Sequence, residues 1–390
     1  MDARRREADD LMREAGHACG RGGGLRVTEG ASFLSLDGKA AVFSEPAQRI
    51  YALNQMAGYI WCRLEAGQTL SAISGDLVAS GVDPNLSARY VDQAVRMWLK
   101  LGLLQRECVL ERNAFHPDSS FTVTLGKVKL TVYADSERLA QRLVLLFGDR
   151  VMPADGQGDI FHVVEMDRLI HVFHDGRNVV SCEAGELAPS LKAYVTEQIV
   201  ARSPPDVVFH AACLVRGGQS VLLSGPPGAG KTTLALYLVD AGFEYRGDDI
   251  ALVAPDGDVT GVSFAPAVKS GAWDIVGKIF PELNDAPIHR RPDGRRVRYL
   301  QPGRIAPDRP YPIGWIFFIS RTANGPPISK PLGSMDALGK IIEGSFAPDG
   351  KLTRAGCNAL KQTLANAHSY TLTYSHVTEA RDAVAGLCDD

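Results

Sequence analysis

The sequence predicts an α/β core built around a phosphate-gripping loop, preceded by a small α+β unit of winged-helix type. Three observations carry this expectation. A strand, a glycine-rich loop and a helix follow one another directly between Ser220 and Ala241. A short β-meander followed by three amphipathic helices occupies residues 25–105. The composition over 390 residues, 45% apolar and 22% charged, is that of a globular protein and excludes wholesale disorder. A chain of this length implies two or three domains.

Charge and hydropathy narrow the function classes. Lys+Arg 42 against Asp+Glu 45 gives a net charge of −3, so no global basic field is present to hold nucleic acid or an anionic membrane. The longest apolar stretch, Leu234–Val239, is far short of the ~20 residues that cross a bilayer. The start, MDARRREADDLMREAGHACG, has no apolar segment of the secretory kind. The seven cysteines are scattered without a CxxC pair, as expected of incidental thiols in a reducing cytoplasm.

Residues 1–24 are charged and then glycine-rich, the composition of a flexible tail. From Leu25 to residue 107 a compact domain is expected. Phe33–Leu36 and Ala40–Phe43 read as strands joined at Asp37-Gly38, and Ile50–Leu53 as a third. Asn54 caps a first helix and Leu70–Val78 forms a second. Asp83-Pro84 opens a third, with Val91, Val95, Met97, Trp98 and Leu101 as its expected buried stripe. Residues 108–120 read as a linker, 121–205 as an α+β segment and 206–390 as the catalytic core. In the α+β segment, strands alternate with helices over Ser136–Phe147 and Leu187–Ala201. His162, His171 and His174 fall in its strands, where i, i+3 residues face opposite sides, which argues against a metal site.

Gly225-Pro226-Pro227-Gly228-Ala229-Gly230-Lys231-Thr232, followed by Thr233, fits G-x-x-x-x-G-K-[ST] without deviation. Glycines let consecutive N–H groups converge on phosphate oxygens, and the following helix adds its positive end. Lys231 can reach the outer phosphates and the Thr232 hydroxyl can sit on Mg²⁺. The apolar strand Gly314–Ile319 ends in Ser320-Arg321 and supplies no metal-organising acid. Asp248-Asp249, 17 and 18 residues after Lys231 and just before the run Ile250–Val253, are the alternative source. One acid can hold the metal while the other takes a proton; the competing reading is a polar turn before a strand.

Phe209-His210-Ala211, the Gly225–Thr232 loop and Arg246-Gly247-Asp248-Asp249 together resemble the HPr kinase/phosphorylase family. The resemblance implies Asp248 as the base that deprotonates a Ser or Thr hydroxyl, Thr232 and Asp249 as Mg²⁺ ligands, and His210 near the phosphates. A core histidine remains the second reading of His210. The family's later glycine-rich signature is replaced by Arg290–Leu300, which puts phosphorylase activity and HPr as substrate in doubt. Lys269, Arg295 and Arg298 are candidates to neutralise phosphate charge, with a solvated basic loop as the competing reading.

Leu36-Asp37-Gly38, Ala41–Phe43, Tyr51–Asn54, Ile60-Trp61 and Trp98–Leu104 resemble PqqD-type domains of ribosomally made, post-translationally modified peptide pathways. The resemblance implies a leader peptide lying as an added strand near Val42, Phe43, Tyr90, Gln93 and Met97. A winged-helix DNA binder is the rival reading, but the third helix carries only Arg89, Arg96 and Lys100 as bases. The expectation is an ATP- and Mg²⁺-dependent kinase acting on a precursor peptide, with neither nucleic acid nor membrane as partner. A small-molecule kinase and an ATP-driven peptide-handling switch are the alternatives. Oligomeric state, a homo-oligomer included, and ATP against GTP stay open.

Overall fold

The computed structural model describes residues 24–107, 116–202, 207–346 and 352–389. Most of the expected tail (1–24) and linker (108–120) lie outside the described residues. By internal contacts the chain divides into two compact units. The first takes residues 1–121, 131–140 and 159–187, and the second takes 122–130, 141–158 and 188–390.

The first unit opens with β1 (Leu25–Val27), β2 (Ala31–Leu36), β3 (Lys39–Ser44) and β4 (Arg49–Leu53). Helices α1 (Gln55–Glu65), α2 (Leu70–Ala79) and α3 (Pro84–Lys100) follow, then β5 (Leu104–Arg106). β2, β3 and β4 form an antiparallel meander with β3 in the middle. Its first turn has positive φ at both Asp37 (50°) and Gly38 (73°), the conformation a two-residue hairpin loop requires. The Asn54, Thr69 and Asp83 side chains accept from the first-turn N–H groups of α1, α2 and α3. β1 and β5, too short to show a period in the sequence, pair with each other.

The helix faces pack around Trp61 and Trp98, whose rings meet edge-on at 5.1 Å. Met97 and Leu101 do not join this core as expected: they are 53% and 36% exposed, and Leu99 is buried instead. At about 100° per residue, Met97 and Val95 cannot share one face, whereas Val91, Val95, Trp98 and Leu99 can.

The chain continues through β6 (Ser120–Leu125), β7 (Val128–Ala134), α4 (Glu137–Phe147) and β8 (Met152–Pro153). An antiparallel meander of β9 (Asp159–Met166), β10 (Leu169–His174) and β11 (Arg177–Cys182) belongs to the first unit. Leu169 of β10 is fully buried in the Trp61–Trp98 cluster. α5 (Leu187–Ala201) leads into the second unit.

There β12 (Val207–Phe209), β13 (Ala211–Arg216) and β14 (Gln219–Ser224) precede α6 (Lys231–Asp240), β15 (Glu244–Gly247), β16 (Ala251–Val253), β17 (Val259–Gly261) and β18 (Ala267–Lys269). β19 (His289–Arg290), β20 (Arg296–Tyr299), β21 (Ile313–Arg321), β22 (Ile328–Pro331), β23 (Ser345–Phe346) and β24 (His368–Tyr374) follow. The main sheet has the order β15-β13-β14-β21-β24-β22, with β14, β21 and β24 parallel. Central strands covered on both faces read as apolar runs, as Val221–Leu223 of β14 and Ile316–Ile319 of β21 do, all buried; β24 alternates, with Leu372 and Tyr374 buried between polar residues. The Phe317 and Phe318 side chains are core, as expected.

Candidate active site

β14 stops at Ser224 and the chain turns through the glycine loop into α6. Gly228 and Gly230 have φ of 90° and 93°, left-handed conformations that a side chain disfavours. A Cβ on Gly230 would stand 2.5 Å from the Tyr374 hydroxyl, and one on Gly225 would collide with the Ile319 carbonyl oxygen. Tyr374 Oη donates to the Ala229 carbonyl at 2.8 Å, and Lys231 Nζ to that of Gly225 at 2.6 Å. Gly225, Pro226 and Ala229 therefore build the loop. Pro227, Gly228, Gly230, Lys231, Thr232 and Thr233 face a cleft of about 510 Å³. No side chain caps α6, so its first N–H groups are left for a ligand.

The tandem acids stand just before β16, as the sequence suggested, and they also directly follow a strand. β15, absent from the sequence reading, pairs with β13 and delivers Asp248 beside the loop. Asp248 is buried and Thr232 Oγ1 donates to its Oδ2 at 3.2 Å; the Ala267 N–H also donates to Oδ2, at 3.3 Å. Lys192 of α5 lies 3.5 Å from Asp248 Oδ1 and 2.8 Å from Asp249 Oδ2. The acid that touches Thr232 is thus Asp248, while the half-exposed Asp249 meets Lys192. Burial raises the Asp248 carboxyl above its ordinary range against the pull of Lys192. The same lysine holds the Asp249 carboxyl well below that range. Burial alone would lower the Lys192 ammonium, but the two carboxylates outweigh it and hold it high. Burial, then the neighbouring Lys269, lowers the Lys231 ammonium.

His210 lines the cleft rather than sitting sealed in the core; burial and the Lys231 charge push its pKa down. Lys269 and Arg295 line it too. Arg298 does not. On β20, Val297 and Tyr299 point into the core, and Arg298 lies on the other face, stacked 4.3 Å over Trp273 and donating to the Leu283 carbonyl. Sequence reasoning missed Lys192, Arg291 and Arg321. Arg321 had a usable signal, since it ends the strand parallel to β14 and ligands gather at the carboxyl ends of such strands. Five lysines and arginines against three aspartates line the cleft, a balance suited to a polyanion. The Thr232 hydroxyl and the two carboxylates are hard oxygen donors, which fits Mg²⁺.

The first unit carries a separate groove of about 460 Å³, bordered by Ala52, Leu53, Asn54, Tyr90, Gln93 and Met97. Tyr90, Gln93 and Met97 stand where expected. Val42 and Phe43 do not: β3 is paired on both sides and Val42 is fully buried, so the strand edge at this groove is β4.

No family model matches the chain. HPr kinase/phosphorylases of Listeria welshimeri serovar 6b and Listeria monocytogenes serotype 4a are each 29% identical over 87 residues, 22% of this chain. The matched stretch is 28% of the length of these curated relatives. The solved Hpr(Ser) kinase/phosphatase from Coxiella burnetii aligns over 46% of this chain and 92% of that chain, at 13% identity and a TM-score of 0.20. Similarity to HPr kinase/phosphorylases therefore extends over part of the chain. Among the described residues no helix is long and apolar enough to cross a membrane.

Proposed function

We propose that this chain is an ATP- and Mg²⁺-dependent phosphotransferase that phosphorylates a Ser or Thr hydroxyl of a ribosomally made precursor peptide held by residues 25–107. The observation that carries the phosphotransferase reading is the convergence of Lys231, Thr232 and Asp248 on one cationic cleft, with Thr232 Oγ1 3.2 Å from Asp248. The partial similarity to HPr kinase/phosphorylases supports it. The peptide rests on the groove at β4 and α3 and on the PqqD-type residues around it.

The loop N–H groups and Lys231 bind the outer phosphates, and Lys269, Arg295 and Arg321 offset their remaining charge. Thr232 donates a hydrogen bond to Asp248, which leaves its hydroxyl lone pairs to join Asp249 as a cation site. Mg²⁺, when bound, supplies charge neutralisation on the transferred phosphoryl group. Asp248, with its raised pKa, takes the proton of the acceptor hydroxyl. The acceptor oxygen bonds to the γ-phosphorus as its bond to the bridging oxygen breaks, and ADP leaves.

Mass spectrometry of a precursor peptide incubated with the chain and Mg·ATP tests the reading. One added phosphate is expected, falling about 10²–10⁴-fold with Asp248→Asn. ATP hydrolysis with an unmodified peptide would replace the proposal with a peptide-handling switch. Transfer to a sugar or nucleoside that Met97→Glu leaves untouched would replace the acceptor.

A further inference from the structure

A larger cavity, of about 810 Å³, lies away from the phosphate cleft in the second unit, within the size range of small-molecule sites. Its walls are apolar: Val123 of β6, Met152 and Pro153 of β8, Ile199 of α5, Leu252 of β16 and Val262. The two acids at its edge are already engaged. Asp155 holds Lys129 at 2.6 Å, and Asp308 accepts from the Arg246 guanidinium and from the Gly126 N–H at 3.2 Å. Arg150 is different. It lines the cavity half-buried, and its guanidinium donates to the Ser263 carbonyl oxygen, a neutral acceptor. Burial pulls its pKa below the ordinary value, outweighing Tyr245 and the exposed Asp149, which push the other way. A guanidinium desolvated against an apolar wall without a carboxylate contact is costly unless an anion completes it.

We propose that this cavity binds an amphipathic organic monoanion, its carboxylate paired with Arg150 and its hydrocarbon body laid along Val123, Ile199 and Leu252. Neither the phosphate cleft nor the peptide groove contributes a residue to it, so the proposal stands apart from the kinase reading.

Isothermal titration of the full chain with sodium octanoate and, separately, 1-octanol tests this. Wild type is expected to bind one octanoate saturably. Arg150→Met should weaken octanoate at least tenfold and leave octanol unchanged. Thr260→Trp, at a half-exposed position of β17 that faces the cavity, should abolish both while far-ultraviolet circular dichroism stays native. A folded Thr260→Trp protein that still binds octanoate as wild type does would overturn the proposal. So would an Arg150→Met change that moves octanoate and octanol alike.

Discussion

At the scale of single residues, the site turns on an ammonium that the loop motif does not contain. Lys192 is buried, 2.8 Å from Asp249 and 3.5 Å from Asp248, and comes from a helix 56 residues upstream. Nothing local marks it, because a lone lysine in Ser190-Leu191-Lys192-Ala193 reads as a solvated helix position. The loop was legible because its function is local: glycine freedom, one lysine and one hydroxyl at fixed spacing. Removing Lys192 leaves two adjacent carboxylates without their counter-charge, and breaking a buried pair costs about 3–5 kcal/mol. Lys192→Met is therefore expected to lower the thermal midpoint markedly, with Mg²⁺ raising it more in the variant than in wild type. A variant that melts like wild type would show that the lysine is not the counter-ion the distances indicate.

At the scale of elements, errors of reading follow the same division between local and distant causes. The hairpin at Asp37-Gly38 and the capped helices were legible because turn and cap chemistry sit inside the segment. β15 was not, because Glu244-Tyr245-Arg246-Gly247 looks polar, and Arg246 is buried only because Ser263 and Asp308 receive its guanidinium. The rank of β3 as a central strand, which removes Val42 from any peptide groove, depends on pairing with both β2 and β4. The closeness of β14 and β21 makes a testable demand on the loop between β14 and α6. A methyl at Gly225 meets the Ile319 backbone, which cannot swing aside as a side chain does. Gly225→Ala should cost about 1–3 kcal/mol in denaturant unfolding and weaken nucleotide binding with it. Full stability with weakened binding would mean that the loop rather than the strand pair absorbs the methyl.

At the scale of the whole molecule, the first unit is assembled from chain segments far apart in sequence. Lys100 pairs with Glu183 at 2.9 Å and Glu186 at 3.0 Å, and the Arg106 N–H donates to Asn178 at 3.2 Å. The Arg106 guanidinium meets Asp167, and Leu169 fills the space beside Trp61 and Trp98. Such pairings depend on which surfaces meet after folding, so no composition shift near residue 108 announces them. A deletion of residues 1–107 thus takes away more than the groove at β4 and α3. It uncovers Leu169, takes Lys100 from Glu183 and Glu186, and takes the Arg106 N–H from Asn178. Losing one buried leucine, at about 1.5–3 kcal/mol, together with those bonds should lower the thermal midpoint by roughly 5–10 °C or leave the fragment insoluble. Lost turnover in that fragment would then reflect damage to β9–β11 as readily as loss of the groove at β4 and α3. A fragment 108–390 that melts at the full-length temperature would instead show that β9–β11 hold together without the helices. Substitution at Met97 avoids the ambiguity, because its side chain is about half exposed at the groove and does not belong to the Trp61–Trp98 core.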